Sequence, residues 1–179
     1  MTLTIATLIP SIILVLLGAL FLTGNSAIIA TFKAFPRSKT AAGFLFGAGA
    51  LWFLYNVWHL SEADFGEYRT GLFIGFAIVA ALSFVYVPDF LAVRGACVLM
   101  LLTAMPLLDA GYMVYNLPQI RLYKIAVYLG IALALYFGAS PFRLRDFFQW
   151  VFATKGRPRA VGGAMLVYGL VLAVVAFTY

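Results

Sequence analysis

Residues Leu3 to Ala30 read LTIATLIPSIILVLLGALFLTGNSAIIA, and none of them carries a charge. A hydrocarbon core of ~30 Å is crossed by about 20 helical residues, so this stretch is long enough to span a bilayer. A segment that crosses lipid on its own must satisfy its own backbone N–H and C=O groups, which makes it a helix. It does not read as a signal peptide: MTLTIATLIPS offers no basic residue for an n-region, and the apolar run that follows is too long for an h-region.

The rest of the chain repeats the pattern. Of the 179 residues 65% are hydrophobic and 10% charged, and mean hydropathy is +1.04. A water-soluble domain needs far more charge to cover its surface. Five further apolar blocks run over about Ala41–Leu60, Thr70–Val87, Phe90–Val114, Leu122–Ala139 and Ala160–Thr178, separated where charge, proline or glycine accumulates. The expected fold is therefore all-α: a polytopic transmembrane helical bundle of six spans, with residues 1–179 as a single integral membrane domain. The net charge of +6 does not indicate nucleic acid, because the basic residues stand at the ends of apolar blocks rather than on one polar face. The expected partner is the lipid bilayer itself.

Lysines and arginines also orient the spans. The first connection holds Lys33, Arg37 and Lys39, the third Arg94, and the fifth Arg143, Arg145, Lys155, Arg157 and Arg159, against only Arg69, Arg121 and Lys124 in the second and fourth. Nine against three places the odd-numbered connections in the cytoplasm. Both termini then face outward, and a bacterial cytoplasmic (inner) membrane is the expected location.

The fifth connection, SPFRLRDFFQWVFATKGRPR, has structure of its own. Ser140 can cap and Pro141 can open a short helix over about 141–153. At helical spacing Leu144, Phe147, Phe148, Val151 and Phe152 share one side, with Arg145, Asp146 and Gln149 opposite. This is the pattern of an amphipathic helix in the headgroup layer. Arg143, Arg145, Trp150, Lys155, Arg157 and Arg159 are the candidates there for contact with an anionic lipid or a partner.

In lipid, close backbone approach must supply much of the contact energy between helices. Glycines at that spacing are Gly43 and Gly47 in the second span, Gly71 and Gly75 in the third, and Gly130 and Gly138, with Ala126 and Ala134, in the fifth. They are expected at helix interfaces, chiefly within the bundle and secondarily in self-association or docking of another subunit. FPRSKTAAGFLFG and RPRAVGGAMLVYG also align on Pro36 and Pro158, which pairs Gly47 with Gly169. Basic residues and proline at a cytoplasmic helix start account for this without a duplication.

Chemistry has few places to occur. HExxH, CxxC, P-loop and Gly-x-Ser-x-Gly patterns are absent. One histidine cannot supply both axial ligands of a haem, and one cysteine, Cys97, cannot hold an iron–sulfur cluster. No catalytic residue, metal or cofactor is expected. Asp109 stands out because it falls inside the fourth block, about 22 Å along the helix from Arg94 at ~1.5 Å per residue. An ionisable residue at such depth needs a partner or water. The topology offers His59, Arg69, Arg121 and Lys124 at the same outer face, and with Asp109 they form a candidate polar cluster. Half of the chain's six acids, Glu62, Asp64 and Glu67, lie between His59 and Arg69, and read as a solvated lid.

Three functions fit. An accessory or scaffolding membrane protein, or a subunit of a larger complex without chemistry of its own, accounts best for the scarcity of polar residues at mid-depth. The alternative is a small transporter or channel with Asp109 in an outer-leaflet polar site. A lipid-modifying enzyme fits least, for want of catalytic residues.

Overall fold

The computed structural model describes every residue except Tyr115, and of Asp64 only the backbone. Among the described residues it contains eight α-helices and no strand. They are α1 (Leu3–Thr23), α2 (Ser26–Ala34), α3 (Lys39–Trp58), α4 (Arg69–Tyr86), α5 (Leu91–Ala110), α6 (Ile120–Ala139), α7 (Phe142–Val151) and α8 (Gly156–Ala176). Six stretches are long and apolar enough to cross a membrane: α1, α3, Gly66–Tyr86 ending in α4, α5, α6 and α8. The protein is an all-α integral membrane protein.

Three boundaries differ from those expected, each for a local reason. The block 3–30 is not one helix. Gly24 takes the left-handed conformation at φ 60° and closes α1, as a glycine after a helix commonly does. The Asn25 side chain then accepts from the Ala27 N–H at 2.9 Å and caps α2. The fourth span stops at Ala110 rather than Val114, and Met113 beyond it has φ 55°. The last span starts at Gly156 rather than Ala160, which draws Arg157 and Arg159 from the connection into the first turn of a spanning helix.

The chain forms two compact units, each drawn from separate stretches of sequence. One comprises Met1–Lys33, Thr103–Leu133 and Arg145–Tyr179, and the other Ala34–Leu102 and Ala134–Leu144. In the first unit α1 packs along α8. A Cβ built on Gly18 would lie 2.7 Å from the Gly162 carbonyl oxygen, and one on Gly162 would lie 2.8 Å from that of Gly18. Further along the pair, a Cβ on Gly169 would lie 2.9 Å from the Val15 backbone nitrogen. The buried Ser11 hydroxyl donates to the Gly169 carbonyl at 2.7 Å. The core alongside is built from Ala6, Ala104, Leu107, Ile120, Tyr123, Val127 and Leu172. Its hydroxyl-bearing members find backbone partners: Tyr123 donates to the Leu107 carbonyl, and the flanking Tyr168 to that of Leu122 at 2.8 Å.

In the second unit the backbone approach is between α5 and α3, where a Cβ on Gly95 would lie 2.6 Å from the Phe46 Cα. α4 meets α3 through aromatic pairs instead. Phe53 packs edge-on against Phe76 at 5.0 Å, Phe46 against Phe84 at 5.3 Å, and Trp58 against Phe73 at 5.3 Å.

The glycines expected at helix contacts meet different surroundings. A Cβ added at Gly43, Gly47, Gly71 or Gly75 would meet nothing within 4 Å, and one at Gly138 makes only ordinary contact with Cys97 at 3.6 Å. Gly18, Gly162, Gly169 and Gly95 are the close-approach positions. The pairing of Gly47 with Gly169 likewise joins an open glycine to a filled one.

Candidate functional site

The residues expected to form an outer polar cluster belong to both units. His59 and Arg69 lie in the second, and Asp109, Arg121 and Lys124 in the first. His59 and Arg69 have partners close by. The His59 Nδ1 lies 2.8 Å from the Tyr55 carbonyl oxygen, an acceptor, so Nδ1 carries the proton and donates. Its ring lies tilted against that of Tyr55, centroids 4.2 Å apart. The Arg69 guanidinium lies over the Trp58 ring at 5.5 Å, a cation–π contact. Asp109 occupies the last turn of α5 and is exposed. With the helix ending one residue later, it is a terminal side chain rather than one held inside a span. Among the described residues the one ion pair joins Arg145 to Asp146 at 2.7 Å, so Lys124 and Arg121 do not pair with Asp109. Of the three acids read as a solvated lid, Asp64 has its side chain outside the described residues.

The basic residues of the last connection are gathered more closely. Within the first unit, four aromatic rings pack together around Phe148 of α7. Phe21 of α1 and Phe32 of α2 pack at 4.9 Å, Phe21 and Phe152 at 5.3 Å, and Phe32 and Phe148 at 5.4 Å. This cluster seats the α7–α8 turn beside the α1–α2 break. Between them lies a cavity of about 350 Å³, whose lining combines the apolar Phe21, Ile29, Phe152 and Pro158 with the polar Thr154, Lys155 and Arg159.

The arginines here do different work. Arg157 is committed: it donates to the Trp150 carbonyl at 3.0 Å and lies over the Trp150 ring at 4.7 Å. Arg143 likewise donates to the Tyr136 hydroxyl, and Arg145 holds Asp146. Lys155 and Arg159 have no ion-pair partner among the described residues. The same cavity adjoins the start of α8, whose first turn contains no acid and whose N-cap residue, Lys155, makes no side-chain capping bond. An uncapped N-terminus of a long helix carries partial positive charge and free N–H groups. The arrangement can hold an anion, and none of its groups is an acid, base or nucleophile paired for catalysis.

Lys155 and Arg159 were named from the sequence, whereas Phe21 and Ile29, which line the same cavity, were not. Phe21 and Ile29 stand more than a hundred residues before Lys155, and the only signal in their vicinity was the Gly24–Asn25 break that lets them meet it. A second feature was also missed as a surface. Gly71, Gly75, Ile78, Leu82 and Val85 share the side of α4 turned away from the Phe73, Phe76 and Phe84 contacts with α3, and all five are exposed. No known protein family, curated protein or solved structure matches the chain.

Proposed function

We propose that this protein is an accessory membrane protein whose α4 carries a partner helix, of another subunit or of a second copy of the chain. The observation that carries the reading is that α4, alone among the spanning helices, has no buried residue. It nevertheless presents Gly71 and Gly75 one turn apart on its outward face with nothing near them. Elsewhere in the chain, Gly18 and Gly162 show what such glycines do when a helix is seated on them. Glycine costs about 0.8–1 kcal/mol per residue against alanine inside a helix. Close approach by another backbone recovers that cost in lipid, where van der Waals packing drives association.

The test replaces both glycines by isoleucine. Because a Cβ at either position meets no atom within 4 Å, the G71I/G75I protein should melt at or above the wild-type temperature in mild detergent. Its complex, trapped in native membranes by a photo-crosslinking residue at Ile78, should be lost. A wild-type chain that yields only lipid adducts from that position, and emerges monomeric, would sink the proposal.

A further inference from the structure

The cavity at the start of α8 is independent of the α4 face, and we propose that it is a binding site for the headgroup of an anionic phospholipid. Three features of the site point to an anion. Lys155 and Arg159 line it without a carboxylate partner among the described residues. The α8 N-terminus beside them is uncapped by any side chain and has no acid in its first turn. Arg157, the third cation of the turn, is fastened to Trp150, so the turn is ordered before a ligand arrives. Helix N-termini and basic side chains together make a phosphate site.

Two further features select a lipid rather than a soluble phosphate. The lining includes Phe21, Ile29 and Phe152, apolar surface that a free phosphate leaves unused and that the glycerol and first methylenes of a lipid would cover. The cavity also adjoins Thr23 and Gly24 at the end of one spanning helix and Lys155 at the start of another, which is the depth of the headgroup layer. Its volume of about 350 Å³ lies at the small end of the range of ligand pockets, suited to a headgroup with the chains left in the bilayer.

The experiment is native mass spectrometry of the full-length protein, titrated in detergent with phosphatidylglycerol and with phosphatidylcholine. Four measurements decide it. Wild type should bind phosphatidylglycerol at least tenfold more tightly than phosphatidylcholine. The K155Q/R159Q protein, its fold checked by circular dichroism and melting temperature, should lose that preference. A charge-matched control, K39Q/R94Q, should keep it. Soluble glycerol 3-phosphate, a glycerol phosphate without acyl chains, should compete only at concentrations at least a hundredfold higher. The proposal is overturned by equal binding of the two lipids to wild type, by a preference that survives in folded K155Q/R159Q, or by equal loss in the control, which would mark a response to net charge alone. Competition by glycerol 3-phosphate as tight as the lipid would also overturn it, and assign the site to a soluble phosphate.

Discussion

At the scale of single residues, the structure separates glycines that look alike. Gly18 and Gly43 are both small residues on spanning helices, but the first faces the Gly162 carbonyl and the second faces open space. Gly18→Leu must push apart α1 and α8, and overpacking of this kind costs ~1–3 kcal/mol or more. Gly43→Leu replaces the poorest helix former but proline with one of the best and should be neutral or stabilising by up to ~1 kcal/mol. Thermal melting in one detergent compares the two, and equal losses would show that Gly18 is not at an interface. This distinction could not be read from the sequence, because spacing reports which residues share a face and not what the face meets. The outer polar residues have the same difficulty. His59 and Arg69 were offered by the topology as partners for Asp109, whereas the contacts they make are local, His59 with the Tyr55 carbonyl one turn back and Arg69 with the Trp58 ring.

At the scale of elements, the six spans were readable because an apolar run of eighteen residues or more has few other uses. The amphipathic stretch that became α7 was readable from its helical period. The division of the first block into α1 and α2 was obscured because the residues after the break are as apolar as those before it, although Thr23-Gly24-Asn25-Ser26 carries the stop and start signals of two helices. The break is a local conformational device and can be tested as one. A Cβ at Gly24 meets no atom, so the cost of Gly24→Ala is that of holding a non-glycine residue at φ 60°, about 1–2 kcal/mol. Asn25→Ala removes the α2 cap, at typically ~1 kcal/mol. Both should lower the melting temperature modestly. If Gly24→Ala instead raised it, the two helices would be continuous and the wall formed by Phe21 and Ile29 would not exist as described.

At the scale of the whole molecule, the basic residues make a claim about sides. With nine of twelve on the odd-numbered connections, a cysteine at Glu62 in a C97S background should be labelled in intact cells by an impermeant thiol reagent, and one at Lys155 should react only after lysis. The reverse pattern would invert the orientation and put the α8 cavity at the outer leaflet. The two units also differ in how far apart in the chain their contacts lie. The α3–α4 hairpin can close as soon as Tyr86 has been synthesised. α1 cannot, because the carbonyl that Ser11 bonds belongs to a residue 158 positions later. From insertion until α8 follows it off the ribosome, α1 sits in the bilayer with its glycine surface uncovered and a hydroxyl facing hydrocarbon. Assembly of that unit therefore waits on translation of the last helix, and during the wait α1 depends on insertion machinery or on neighbouring lipid to keep it from pairing with the wrong helix.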